Sequence, residues 1–351
     1  MKINLRTSSI SLMLEFMYNL RTGQANEAQI ASIFKHPDNN FEFRRYQAHD
    51  PVASKEEIAD YFLNLCTVQI ADIPALRLSR LTELQDKHPL WLDVYENPKK
   101  YEAKYNHMLS LITDDVLCEA SSLVKNGLPN DAEIGEIDFI VTLSIGGSCG
   151  YVYDGAFHID LMQMEKLGWE NLKSIIAHEV HHVALMNYEA DYIHTFSLEE
   201  WFVHFFAGEG LAVKFCNNAQ GTISKPIYTN HPVNEGLDRF AMEYLNRKFD
   251  EAYTVFNTTL EAVRHGEMTR DELWEHLMKY WFCFHIDGQS PDEAPKLQHS
   301  LAYSFGNDFY GAIYDAFGKE TLFDCVKHPL KAVEHFSRAR NCICKLKGLP
   351  R

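Results

Sequence analysis

The 351-residue chain lacks a long apolar run. Its most hydrophobic stretches are interrupted by charges or turn residues well short of the roughly 18 positions that a membrane-spanning helix needs. It is also short of positive charge. Against 49 Asp and Glu stand 33 Lys and Arg, a net charge of −16. A chain this acidic is poorly suited to phosphate backbones or anionic bilayers, so neither nucleic acid nor membrane is an expected partner. Paired cysteine motifs are missing too. Cys66, Cys118, Cys149, Cys216, Cys283, Cys325, Cys342 and Cys344 are scattered, which reads as free thiols. Cys342 and Cys344 form a lone C-x-C, and a zinc ribbon would need a second pair. At the N-terminus Lys2 and Arg6 precede an apolar stretch, but Glu15 interrupts Ile10–Met17. That is a poor signal peptide, and the expected location is cytoplasmic. There are no internal repeats and no low-complexity segments.

What is present suits a folded protein with a large core, since 46% of the residues are hydrophobic. Residues 1–130 show apolar positions at three- and four-residue steps in Ile10–Leu20, Ile58–Cys66 and Tyr105–Val124, a helical region. Helix stops fall at His36-Pro37-Asp38-Asn39-Asn40, Asp50-Pro51 and Gly127-Leu128-Pro129-Asn130. The pattern then changes. Ile137–Leu143 is rich in strand formers, Gly146-Gly147 breaks the run, and Tyr151-Val152-Tyr153 resumes it. Asp154-Gly155 then separates that run from the alternating Ala156–Leu161. Asp-Gly between alternating runs predicts a hairpin with a tight turn. A helix follows from Trp169 to about Asn187. Ser197-Leu198-Glu199-Glu200 forms a capping box opening another, which runs to about Phe215. Residues 217–235 read as loop, and from Leu237 the chain is helical again except over Asp287–Pro295. The expectation is an α+β fold, predominantly helical, with three regions: 1–130, a core of 131–216, and a helical 217–351 that closes a cleft.

The chemistry is concentrated in His178-Glu179-Val180-His181-His182, an H-E-x-x-H pattern inside the first of those two helices. Positions i and i+4 share a helix face, so His178 and His182 can aim at one zinc ion. Glu179 is rotated by about 100° from His178. It would flank the metal and serve as proton acceptor and donor, not as a ligand. Ile175, Ile176, Val183 and Met186 make this an otherwise apolar helix, where unsatisfied imidazoles are costly.

A catalytic zinc needs three protein ligands and an open position. Glu209, in Ala207-Gly208-Glu209-Gly210-Leu211-Ala212, is the leading candidate for the third. A carboxylate between two glycines in a helix interior is locally unfavourable, but the small flanking residues would let helices approach closely. Asp191 and His194, in the loop between the helices, and His204, on a different side of the second helix, are rivals.

His178-Glu179-x-x-His182 followed by Gly208-Glu209-Gly210-Leu211-Ala212 resembles a gluzincin-type zinc metallopeptidase. It is most similar to bacterial families described only as zinc-dependent peptidases. The likeness covers residues 137–215. It implies a zincin-like core with Zn2+ held by His178, His182 and Glu209, Glu179 as general base, and a peptide or small protein as substrate. A metzincin would carry histidine at position 188, which is Tyr188. Two departures from thermolysin-like enzymes stand out. Glu209 lies 27 positions after His182, a longer gap, and the aspartate expected four positions after the ligand glutamate is Val213. The groups supporting the zinc-binding histidines must therefore differ, with Asp160, Glu199 and Asp191 as candidates. In gluzincins an edge strand before the active helix receives substrate as an added strand, and Gly147–Tyr153 occupies that place. Related enzymes brace the oxyanion with a tyrosine or histidine from the C-terminal helices. Tyr303, in Ala302-Tyr303-Ser304-Phe305-Gly306, resembles that element. Gly306 would let its helix sit close to the motif helix. Tyr228 and His231 are alternatives.

Two other functions fit the same residues. One is a metal-dependent hydrolase of a non-peptide amide or ester. The other is a helical binding protein with a vestigial metal site, which the intact Glu179 argues against, because binding zinc alone does not require it.

Overall fold

The computed structural model describes residues 2–47, 53–74, 84–146, 149–217, 248–282 and 300–346. In chain order these form β1 (Lys2–Arg6), α1 (Ser8–Arg21), α2 (Glu27–Lys35), α3 (Pro37–Gln47), α4 (Lys55–Leu63), α5 (Leu84–Glu96), α6 (Pro98–Leu111), α7 (Asp114–Asn126), β2 (Glu136–Thr142), β3 (Gly150–Tyr153), β4 (Ala156–Asp160), α8 (Met164–Leu167), α9 (Leu172–Glu189), α10 (Leu198–Ala212), α11 (Phe249–Arg264), α12 (Arg270–His276), α13 (Leu301–Lys327) and α14 (Pro329–Leu346). The fold is thus α+β and predominantly helical, as the periodicity predicts, with one small mixed sheet. No described helix is long and apolar enough to cross a membrane. The chain divides into two compact units, Met1–Leu117 with Gly135–Leu172, and Cys118–Ile134 with Lys173–Arg351.

In the first unit the strands run in the order β1-β2-β4-β3. β1 pairs parallel with β2, β2 parallel with β4, and β3 antiparallel with β4, so β3 is an edge strand. The hairpin joining β3 to β4 turns at Asp154 (φ 46°) and Gly155 (φ 73°). Both are left-handed, the backbone that makes Asp-Gly a hairpin signal. β1 is a strand that the sequence reading assigns to the helical region. It has only two apolar side chains, Ile3 and Leu5, and owes its conformation to pairing with β2. Buried charges pin the loop after β2. The fully buried Glu42 of α3 accepts hydrogen bonds from Ser144 Oγ, Ile145 N (3.0 Å) and Gly146 N (2.8 Å). Lys87 of α5 donates to the Gly146 carbonyl (2.5 Å) and to Asp160 (2.7 Å), again out of solvent. Burial this deep is tolerable because Lys87 and Asp160 pair with each other and Glu42 is met by several hydrogen-bond donors.

The second unit is built on helix pairs. α10 opens on the expected capping box: Glu200 N donates to Ser197 Oγ (3.2 Å) and Ser197 N to Glu200 Oε2 (2.9 Å). α10 crosses α13 where Gly210 meets Gly306. A Cβ on Gly210 would lie 2.2 Å from the Gly306 carbonyl carbon, and one on Gly306 would lie 2.4 Å from Phe206 O. Only glycine at both positions permits this backbone approach. Gly306 therefore fits its helix against the helix that carries Glu209, not against the motif helix as the sequence suggests. Around the crossing Phe206 packs edge-on to Trp281 (4.6 Å between centroids) and to Phe305 (4.9 Å), with Phe202 and Phe256 stacked beside them. Ring pairs of this geometry add to the burial of their large apolar surfaces.

Candidate metal centre

α9 carries the H-E-x-x-H pattern. Ile175, Ile176, Ala177, Val180, Val183, Ala184 and Leu185 are buried around it, so the helix is packed on most of its circumference. The histidines at 178 and 182 occupy one face, their rings edge-on at 4.7 Å between centroids. α10 brings Glu209 to the same point. His178 Nε2 lies 3.2 Å and His182 Nε2 3.3 Å from Glu209 Oε2, and the two ring nitrogens are 3.0 Å apart. Among the described residues this is the one group of three or more His, Cys, Asp or Glu side chains close enough to share an ion. Asp191 and His194 are exposed on the connecting segment. His204 turns away to a buried pair with Glu189 (3.0 Å).

The three donor atoms form a triangle with edges of 3.0–3.3 Å. A tetrahedral zinc with bonds of about 2.0–2.1 Å has ligand–ligand edges of about 3.3 Å. The donor set, two imidazoles and one carboxylate, also suits that ion. His178 sharpens the argument. Its Nδ1 lies 2.6 Å from Asn217 Oδ1. The amide oxygen can only accept, so Nδ1 carries the hydrogen and a neutral ring presents a bare lone pair at Nε2. That nitrogen faces a carboxylate oxygen, an arrangement that a metal ion or a proton between them satisfies.

The electrostatics agree. Burial disfavours the charged form of His182, yet the Glu209 carboxylate outweighs it and raises the pKa from 6.5 to about 8. Burial likewise pushes Glu209 upward, but His182 and His178 hold it far below the usual carboxylate range. Without metal, a proton takes the cation's place. His181, between the two, does something else. It is fully buried, its Nε2 meets the Gly127 carbonyl at 2.8 Å, and burial drives its pKa down to about 3. It is a neutral strut fastening α9 to the segment after α7.

Glu179 is half-buried, and its charge is felt at both His182 and Tyr303. Tyr303, near the start of α13, stacks its ring on His178 at 5.5 Å between centroids and 11° between planes. Burial first, then the charges of Glu209 and Glu179 and a hydrogen bond with Glu209, lift the phenol well above its ordinary pKa, so it stays protonated. The structure thus brings His178, His182, Glu209 and Tyr303 together, with Glu179 within electrostatic reach.

The expected supporting carboxylates are elsewhere. Asp160 is bound to Lys87 in the first unit, and Glu199 is paired with Arg264 at 2.6 Å. Sequence reading misses Asn217, which it assigns to a loop. The residue closes a π-helical turn, Val213–Asn217, that continues α10. Tyr228 and His231 lie outside the described residues. The strand expected to receive substrate belongs to the first unit, where Gly150–Tyr153 forms β3.

Compared with known protein families, residues 72–342 match one described as "Putative zinc dependent peptidase (DUF5700)". No curated protein and no solved structure matches the chain.

Proposed function

We propose that this chain, which belongs to the "putative zinc dependent peptidase" family, is a zinc hydrolase that cleaves peptide bonds using the residues gathered around His178. The observation that carries the reading is the convergence of His178, His182 and Glu209 on one point with tetrahedral edge lengths. Those three residues would hold the ion. When bound, zinc supplies a Lewis acid that polarises the scissile carbonyl and makes water acidic enough to attack near neutral pH.

The chain's own side chains do the remainder. Glu179, one residue beyond the first ligand and rotated off the ligand face, accepts the proton of the attacking water and delivers it to the departing amine. Tyr303, kept protonated by burial and by the neighbouring carboxylates, donates a hydrogen bond to the developing oxyanion. His181, bonded to the Gly127 carbonyl, fixes the orientation of the helix that carries both histidine ligands.

The test combines metal content with a cleavage screen. The purified chain should hold about one zinc and cut unstructured peptides from a library faster than small esters. Glu179→Gln should keep the zinc and lose the cleavage. A chain that takes up no zinc refutes the metal assignment. Glu179→Gln losing zinc as fully as His182→Ala would make Glu179 a ligand and overturn its role as base. Faster turnover of simple esters than of any peptide would replace peptidase by a different hydrolase.

A further inference from the structure

We propose that Asn217 is a positioning residue for the zinc ligand His178, and that the π-helical turn at the end of α10 exists to place it. This rests on the zinc-hydrolase reading above and assigns a role to a residue which that reading does not require. Asn217 is nearly inaccessible to solvent, and its Oδ1 lies 2.6 Å from His178 Nδ1. The contact fixes two things together. It selects the tautomer with the hydrogen on Nδ1, and it sets the ring's rotation so that Nε2 points at Glu209 Oε2 and His182 Nε2.

The placement depends on an irregularity. Asn217 is eight residues after Glu209, and eight α-helical steps of about 100° would leave it about 80° off that residue's face. The wider π turn over Val213–Asn217 takes up much of the difference. One continuous element therefore supplies a ligand, Glu209, and the support for a ligand from another helix, His178. The turn is itself held in place. Lys214, nearly buried, reaches Asp315 of α13 at 2.6 Å, and Phe215 packs edge-on against Tyr314 of the same helix. An amide in this position orients the imidazole without adding negative charge, which leaves the ion more electrophilic than a carboxylate partner would.

The experiment measures zinc affinity of the full-length chain at fixed pH by competition with a chromophoric chelator, alongside the melting temperature of the metal-free protein. Asn217→Leu keeps the volume and removes the acceptor. It should weaken zinc binding by about 10–100-fold. Asn217→Asp restores an acceptor of the same shape. It should bind zinc at least as tightly as wild type, with a lower kcat and little change in KM. If Asn217→Leu folds and binds zinc within about threefold of wild type, the proposal is wrong. Should Asn217→Leu fail to fold, Asn217→Asp decides alone, since a tenfold loss of affinity in that variant would overturn the positioning role. Wild-type protein that binds no zinc refutes the zinc-hydrolase reading itself, and this proposal falls with it. Normal zinc binding in wild type and in both variants refutes only the role of Asn217.

Discussion

Replacing Gly210 and Gly208 by alanine, one at a time, makes the same chemical change on either side of Glu209 and should give opposite results. At position 210 the new methyl group would lie 2.2 Å from the Gly306 carbonyl carbon, 2.4 Å from its oxygen and 2.6 Å from its Cα. Ordinary carbon contacts are about 3.5–4.0 Å, so α10 and α13 must part by more than about 1 Å. The obstructing atoms are backbone and cannot swing aside, which puts the strain near the upper end of the usual overpacking cost of about 1–3 kcal/mol. A gain of about 1 kcal/mol in helix propensity offsets part of it. At position 208 nothing lies within 4 Å of the new methyl, so only the propensity gain remains. The two variants should therefore differ by about 3 kcal/mol. For a unit of this size that corresponds to roughly 6–12 °C in melting temperature. The consequence reaches the metal. A shift of about 1 Å in the helix bearing Glu209 is large against donor spacings of 3.0–3.3 Å, and misplaced groups lose their function steeply. Gly210→Ala should lose zinc affinity as well as stability, and Gly208→Ala should lose neither. Thermal melts of the metal-free proteins and chelator competition on both variants supply the measurements. Equal melting temperatures would refute the helix-crossing argument, and a destabilised Gly210→Ala with normal zinc affinity would refute its coupling to the site.

Three further outcomes are expected. Tyr303→Phe should lower kcat by about 100-fold with zinc content and melting temperature nearly unchanged, and a variant of normal turnover would remove Tyr303 from the mechanism. His181 is held neutral with a pKa near 3 in the folded chain, against 6.5 unfolded, so its contribution to stability is complete above pH 6.5 and is lost as pH falls toward 3. Between pH 6.5 and 5 that amounts to about 2 kcal/mol, measurable by urea unfolding of the metal-free protein. His181→Gln should flatten the slope, and an unchanged slope would contradict the assignment. His182 is raised to about 8 in the metal-free site, so zinc must displace a proton below that pH. Apparent zinc affinity should fall by about tenfold per pH unit from pH 8 to 6 and level off above 8, and a flat profile from 6 to 8 would sink the argument.

The parts of this molecule legible in its sequence are those whose cause is local. Asp154-Gly155 dictates its hairpin because two successive left-handed residues admit few alternatives. Ser197 and Glu200 close their capping box across a single helical turn. The i, i+4 spacing of His178 and His182 carries its geometry with it, and of the two glycines beside Glu209 one, Gly210, marks a close approach while Gly208 faces open space. The missed parts depend on partners far away in the chain. β1 is a strand because Glu136–Ile140 lies beside it, and its own two apolar residues cannot say so. Gly306 announces that some backbone comes near, but not that it is the backbone at Gly210. Asn217 follows a helix and precedes turn-like residues, so its pattern reads as a loop. That the helix continues into it by widening is decided by packing, through Lys214 with Asp315 and Phe215 with Tyr314.

The hydrogen bond from His181 to Gly127 also bears on how this chain is made. The unit that holds the metal ligands is discontinuous, with Cys118–Ile134 contributed before the residues of the sheet and Lys173–Arg351 after them. During synthesis the Gly127 carbonyl leaves the ribosome 54 residues ahead of the imidazole that meets it. A whole hairpin must be made in that interval. At 5–20 residues per second the wait is roughly 3–10 seconds, far longer than a helix needs to form. The Gly127 segment therefore spends seconds without the motif helix that completes its packing. The same arrangement limits dissection. A fragment beginning at Lys173 would retain every residue assigned to zinc, yet it would lose the Gly127 carbonyl that holds His181 and the segment packed against that ring.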